Sequence, residues 1–165
     1  MRRTIAGVAL CAALAIVAAA CSGSNDNSSG SSSGTAAPAT TAAPASNATV
    51  TLASTKFGQV LADSQGKILY MYTKDKPNSS VCTGECLGNW PALKATGTPT
   101  AGSGVDSSLL GTIQRTDDGS MQVTYKGQPL YHFAGDSQTG DVNGQNVGGI
   151  WFVLGADGNP IKTTS

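Results

Sequence analysis

The sequence has little of what catalysis uses. Among 165 residues there is one histidine, His132, which removes every mechanism that needs two imidazoles. Charged side chains make up 12% of the chain, and no basic cluster supplies the electrostatic footprint of a nucleic-acid binder or an anionic-lipid site. From Ala48 onward no serine sits in a Gly-x-Ser-x-Gly elbow. The four cysteines form no Cys-x-x-Cys, no haem-attachment run and no zinc quartet. Beyond the N-terminus there is no capped stretch with a sustained 3.6-residue apolar period. An enzyme is therefore not expected, nor a cofactor, nor a nucleic-acid partner.

The N-terminus reads as a targeting segment over residues 1–20. Arg2 and Arg3 precede the apolar run "IAGVALCAALAIVAAA", too short at about 16 residues for a comfortable membrane span. Ala18-Ala19-Ala20-Cys21 resembles a bacterial lipobox, in which the cysteine becomes the lipidated, palmitate-bearing first residue of the mature protein. Ordinary signal-peptidase cleavage after Ala-x-Ala is the other reading. On either reading Cys11 leaves with the leader. Residues 21–47 are Ser, Gly, Ala, Thr and Pro with almost no large apolar side chain. Such a tract buries too little to offset the entropy of ordering, so it is expected to be a disordered tether. The folded part is then residues 48–165, one domain by length. Without Arg2 and Arg3 the chain carries eight basic residues against ten acidic. The expected place is extracytoplasmic, at a cell membrane, through a lipid on Cys21.

Within that domain one phrase is written twice, "GKILYMYTKD" at 66–75 and "GQPLYHFAGD" at 127–136. The offset is 61 residues. Continued without a gap, it places Gly88 on Gly149, Trp90 on Trp151, Leu93 on Leu154 and Ala95 on Ala156. This is an internal duplication, with repeats at about 57–95 and 118–156.

Each copy reads as β. Phe57–Ala62 and Lys67–Tyr72 flank the turn cluster "DSQG"; Met121–Tyr125 and Pro129–Phe133 flank "KG"; "GIWFVL" and Leu109–Gln114 add strands. The expected fold is all-β, a small antiparallel sheet or sandwich built from two homologous halves. Alternation sends Tyr70 with Tyr72, and Tyr131 with Phe133, to one face, and Leu69, Met71, Leu130 and His132 to the other. Asp75 and Asp136 fall at the strand exits, where an Asx-type turn accepts backbone N–H groups. Two readings of the motif stand: a structural staple written twice because the fold is built twice, or a polar ligand site in one cleft.

The duplicated Tyr-x-aromatic-x-x-Asp phrase, "CTGECLGNWPAL", "GVDSSLLGTIQR" and "GDVNGQNVGGIWFVL" together resemble bacterial secreted-repeat lipoproteins defined by a Tyr-x4-Asp motif. The resemblance runs from about Leu52 to Gly158 and implies a lipid-anchored envelope protein.

Cys82 and Cys86 align with Asn143 and Val147 of the second copy, so they belong to the first half alone. In an oxidising envelope a Cys-x3-Cys pair reads as a short-loop disulfide that pins the 75–90 connection. The alternative is redox or copper chemistry, since soft thiolates select Cu(I), with Met71, Met121 and His132 as the further candidate ligands. In the loop 135–149, Asp136, Asp141, Asn143 and Asn146 offer oxygens for Ca²⁺, but the same residues serve any long loop as turn formers. The function expected from these features is a non-enzymatic binding module of the cell envelope, with a ligand or envelope partner not named by the sequence. A copper- or thiol-handling protein acting through Cys82 and Cys86 is the alternative.

Overall fold

The alternation Thr-Val-Thr-Leu-Ala-Ser-Thr makes β1 (Thr49–Thr55), which turns through Lys56 and Phe57 into β2 (Gly58–Asp63). Val50 pairs with Asp63 at one end of this hairpin and Thr55 with Gly58 at the other. These contacts come from a computed structural model, which describes residues 47–163. The leader, Cys21 and the tether up to residue 46 lie outside the described residues.

The remaining elements are short. β3 is Tyr70–Tyr72, α1 is a single turn at Glu85–Asn89, and β4 is Thr100–Ala101. β5 (Leu110–Gln114), β6 (Met121–Tyr125), β7 (Gln128–Pro129) and β8 (Trp151–Val153) complete the set. They form three small sheets, ordered β2-β1-β4, β3-β8 and β5-β6-β7. All pairs are antiparallel except β1 with β4. The all-β expectation holds, with β1 and the one-turn helix as elements that the sequence reading did not name. The expected strand at Pro129–Phe133 is reduced to β7 and isolated bridges at Tyr131.

The hairpins at the start of the two motif phrases turn differently. In the second copy Lys126 and Gly127 both have positive φ, 52° and 76°, the combination of a two-residue type I′ turn. The first copy uses three residues, with Gly66 at φ 75° and Asp63 Oδ1 accepting from Gln65 N at 2.8 Å and Lys67 N at 2.9 Å. The extra residue moves the offset upstream of the turn from 61 to 62. Leu61 N thus donates to Leu154 O at 2.9 Å in one half, and Val123 N to Leu93 O at 2.8 Å in the other.

The halves are exchanged, not stacked side by side. The tyrosine strand of the first repeat pairs with the tryptophan strand of the second: Tyr70 with Val153, Met71 with Phe152, Tyr72 with Trp151. Reciprocally, the second tyrosine segment pairs with the first tryptophan segment, through Leu93 N to Leu130 O, His132 N to Pro91 O and Ala134 N to Asn89 O. The two tyrosines bond to each other at the centre, Tyr70 N to Tyr131 O at 2.8 Å and Tyr131 N to Tyr70 O at 3.0 Å. That bridge marks a local pseudo-two-fold axis.

Strand alternation then sorts the core into two clusters. Leu69, Met71 and Leu130 pack with Val50, Leu61, Val123, Tyr125 and Leu154 on one side. Tyr70, Tyr131, Trp90, Trp151 and Cys82 pack together on the other, with Tyr72 and Phe133 against them. Each fully buried Leu or Val contributes about 1.5–3 kcal/mol.

Candidate functional site

The motif residues converge at the pseudo-two-fold axis, and their partners cross it. Tyr70 OH donates to Asp136 Oδ2 at 2.6 Å, and Tyr131 OH donates to Asp75 Oδ2 at 2.7 Å. Each tyrosine is thus locked to the aspartate of the other repeat. The second carboxylate oxygens hold the loops that follow: Asp75 Oδ1 accepts from Val81 N at 2.8 Å, and Asp136 Oδ1 from Asn143 N at 2.9 Å. This corrects the Asx-turn expectation. The carboxylates reach six and seven residues ahead, not two, because each must also meet a phenol from across the axis. The loop amide that each carboxylate caps lies one residue further on in the second half.

All four groups are buried. Burial raises the Asp75 carboxyl, opposed by the bonds from Tyr131 and Val81 and by the Arg115 charge. It raises Asp136 likewise, opposed by the bonds from Tyr70 and Asn143. Both phenols are pushed far above their ordinary range by burial and by the carboxylates they face. They remain protonated donors. Short hydrogen bonds to ionised acceptors are the strong kind, about 1.5–3 kcal/mol each.

The tryptophans that the repeat equates also meet. Trp90 and Trp151 stack at 3.8 Å with 3° between their planes. Tyr72 stacks on Trp151 at 4.2 Å and Phe133 lies against Trp90 at 4.4 Å, so four rings form one column. Tyr70 and Tyr131 meet Trp90 and Trp151 edge-on, at 5.5 Å and 5.2 Å, the preferred aromatic geometry.

Arg115, Ser80 and Gln122, which the sequence reading did not single out, elaborate one lock only. Ser80 Oγ lies 2.6 Å from Tyr131 OH. The phenol proton is committed to Asp75, so Ser80 donates. The buried Arg115 donates to Ser80 Oγ at 3.2 Å, Gln122 Oε1 at 2.5 Å and Cys82 O at 2.6 Å, and makes a two-point pair with Asp117 at 3.0 Å. Burial works against the Arg115 charge, but Asp117 outweighs it and the guanidinium is held up. One signal was legible: a lone arginine in an otherwise uncharged strand end, followed by Asp117 and Asp118.

Cys82 and Cys86 are joined as a disulfide, with Cα atoms 5.4 Å apart. Cys82 is buried in the aromatic cluster and Cys86 packs against it. Met71 lies in the opposite cluster. Among the described residues no group of three or more His, Cys, Asp or Glu side chains is arranged to hold a metal ion. In the 135–149 loop, Asp136 is spent on Tyr70 and Asn143, while Asp141 Oδ2 caps Ser137 N at 3.0 Å and Gln138 N at 2.8 Å. Asn146 sits in the left-handed region at φ 60°. These residues shape the loop.

His132 stands apart from both locks. Its Nε2 is 3.7 Å from Asp63 Oδ2, and its Nδ1 is buried. Burial lowers its pKa below 6.5, more than Asp63 raises it, so the ring is neutral near pH 7. It lines a cleft of about 240 Å³ together with Lys67, Ile68, Pro91, Phe133 and Asp136. Here an apolar wall meets the side chains of Lys67 and His132.

No curated protein and no solved structure matches the chain. The family described as a secreted repeat of unknown function matches twice, at residues 51–94 and 111–155. The first match begins within β1 and closes at the first tryptophan segment; the second begins within β5 and closes just past β8. Two matched copies, two crossed Tyr–Asp locks and one shared aromatic column describe the same duplication, and the chain belongs to this family of secreted repeats.

Proposed function

We propose that the protein is a cell-envelope lipoprotein, held at the membrane through a lipid on Cys21, whose two-repeat domain binds a ligand or envelope partner. What supports the binding role is the contrast between the motif and the His132 cleft. The motif's carboxylates and phenols are consumed inside the fold. The cleft sets the side chains of His132 and Lys67 among Phe133, Pro91 and Ile68, the mix of apolar wall and few polar groups that small-molecule sites use. The apolar run that ends at Cys21 supports the anchor.

Two measurements test this reading. A small-molecule library is screened by amide NMR, and binders are expected to shift Lys67, His132 and Ala134 and to lose affinity in His132→Ala. Binders that cluster elsewhere, or that ignore the substitution, overturn the cleft as the site. For the anchor, Cys21→Ala is expected to move the protein from the membrane fraction to the soluble one. Unchanged partition removes the lipid from the account.

A further inference from the structure

The aromatic column is a continuous path whose two ends, Phe133 and Tyr72, are both half-buried. Tyr72 is the end that carries a phenol. Behind it Trp151 and Trp90 are 4% and 5% exposed, and Tyr70 and Tyr131 are fully enclosed. Each step inward, from 4.2 Å to 3.8 Å to the edge-on contacts at 5.2 and 5.5 Å, is a ring-to-ring contact. Packing accounts for stacked rings, and a buried phenol needs an acceptor, but a neutral acceptor would serve; here both are carboxylates. A phenol loses an electron far more readily when its proton has an acceptor in place, because the alternative is a strongly acidic radical cation. Asp136 and Asp75 are such acceptors, at 2.6 and 2.7 Å.

We propose that the Tyr72–Trp151–Trp90 column and the Tyr70–Asp136 pair form a sink for small one-electron oxidants, such as nitrogen dioxide or carbonate radicals. The oxidant, at the Tyr72 end, takes one electron from Trp151 and leaves as its anion. An electron from Tyr70 fills the vacancy through Trp90. The Tyr70 O–H bond breaks as its proton passes to Asp136 Oδ2, leaving a neutral tyrosyl radical beside a neutral carboxylic acid. A small thiolate returns one electron and leaves as a thiyl radical, and the proton moves back from Asp136 to Tyr70.

The two pairs are not equal in this role. Asp75 lies in the field of Arg115, which favours the carboxylate and opposes its taking a proton. Ser80 also donates to the Tyr131 oxygen at 2.6 Å, whereas Tyr70 receives only the Gly144 N–H at 3.3 Å. Asp136, in addition, lines the open cleft. The hole therefore settles on Tyr70.

Pulse radiolysis of the purified protein with azide radicals tests this. The tryptophanyl absorbance is expected to decay as a tyrosyl signal grows. Asp136→Asn is expected to slow that transfer by about tenfold or more, while Asp75→Asn leaves it nearly unchanged, with near-UV circular dichroism confirming the stack in both. If a variant does not fold, the wild type in D₂O carries the test, because transfer that breaks the O–H bond must slow there. An unchanged rate in D₂O, an unchanged rate in Asp136→Asn, or a larger effect from Asp75→Asn overturns the proposal.

Discussion

The same tyrosine–aspartate lock is built twice, at equivalent places, with different surroundings. Around Tyr131 and Asp75 stand Ser80, Arg115, Gln122 and the Cys82–Cys86 disulfide. Around Tyr70 and Asp136 stand backbone amides from Asn143 and Gly144, and an open cleft. One lock is braced by several side chains and a covalent loop; the other is held mainly by the main chain of its own loop. Duplication preserved the bonds that cross the axis and left the outer layer of each half free to diverge. The braced half reads as the stable one and the cleft half as the open one.

The largest expected effects strike the part that both halves share. Trp90→Ala and Trp151→Ala each open a cavity in the middle of the column, and each should cost about 3–5 kcal/mol. That is a large share of a domain stability of about 5–15 kcal/mol. Urea unfolding of both variants checks this, and near-equal losses are expected because the two rings stack on each other. Unequal losses would show that the column is not shared equally.

The aspartates come next. Asp75→Ala and Asp136→Ala each strand a buried phenol and a loop amide, at about 3 kcal/mol. Asp75→Ala is expected to be the worse, since it also removes a countercharge from the field of Arg115. The double variant should fail to fold, and a stable double variant would overturn the staple and reopen the motif as a ligand site. The disulfide sharpens the comparison at smaller scale. Loop closure of this length is worth about 2 kcal/mol, so Cys82→Ser with Cys86→Ser should unfold at correspondingly lower urea. Hydrogen exchange should quicken at Ser80 and Val81 and stay unchanged at Asn143 and Gly144. Equal quickening in both loops would mean that the brace is not local.

The smallest effect is the pH dependence that His132 adds in the cleft half. Burial holds His132 below 6.5, so between that depressed value and 6.5 the unfolded chain binds more protons than the folded one. Stability then rises with pH across the window and is lost on acidification. Asp75 and Asp136 act the opposite way. Their folded values are raised above 3.8, so their ionisation removes stability as pH climbs. His132→Gln should abolish only the first slope, and denaturation at a series of pH values will show whether the difference between variant and wild type falls in that window.

The duplication was legible in the sequence because Gly, Leu, Tyr, Trp and Asp recur at one offset, and the β class followed from alternation and turn residues. The two faces of the Tyr70 strand were legible for the same reason. What was not legible is which copy each residue bonds to. Spacing along a strand exit suggests a local partner for Asp75, whereas its phenol comes from 56 residues away. The strand exchange is likewise a long-range fact with no local signature. Equivalent positions on a pseudo-two-fold axis can lie far apart or in contact, and the sequence does not say that Trp90 and Trp151 touch. Arg115 was missed because a single cation near two exposed aspartates looks like a solvated surface pair until burial is known.

The exchanged strands carry one more consequence. A lone copy of this repeat would present a tyrosine strand and a tryptophan strand that are each other's match only across an axis, so it could close only by meeting a twin. Cut at the exposed loop around Gly104, the chain should yield two obligate complements. Each should be unfolded alone, and together they should recover the stacked-tryptophan signal on mixing, with a midpoint set by their concentration.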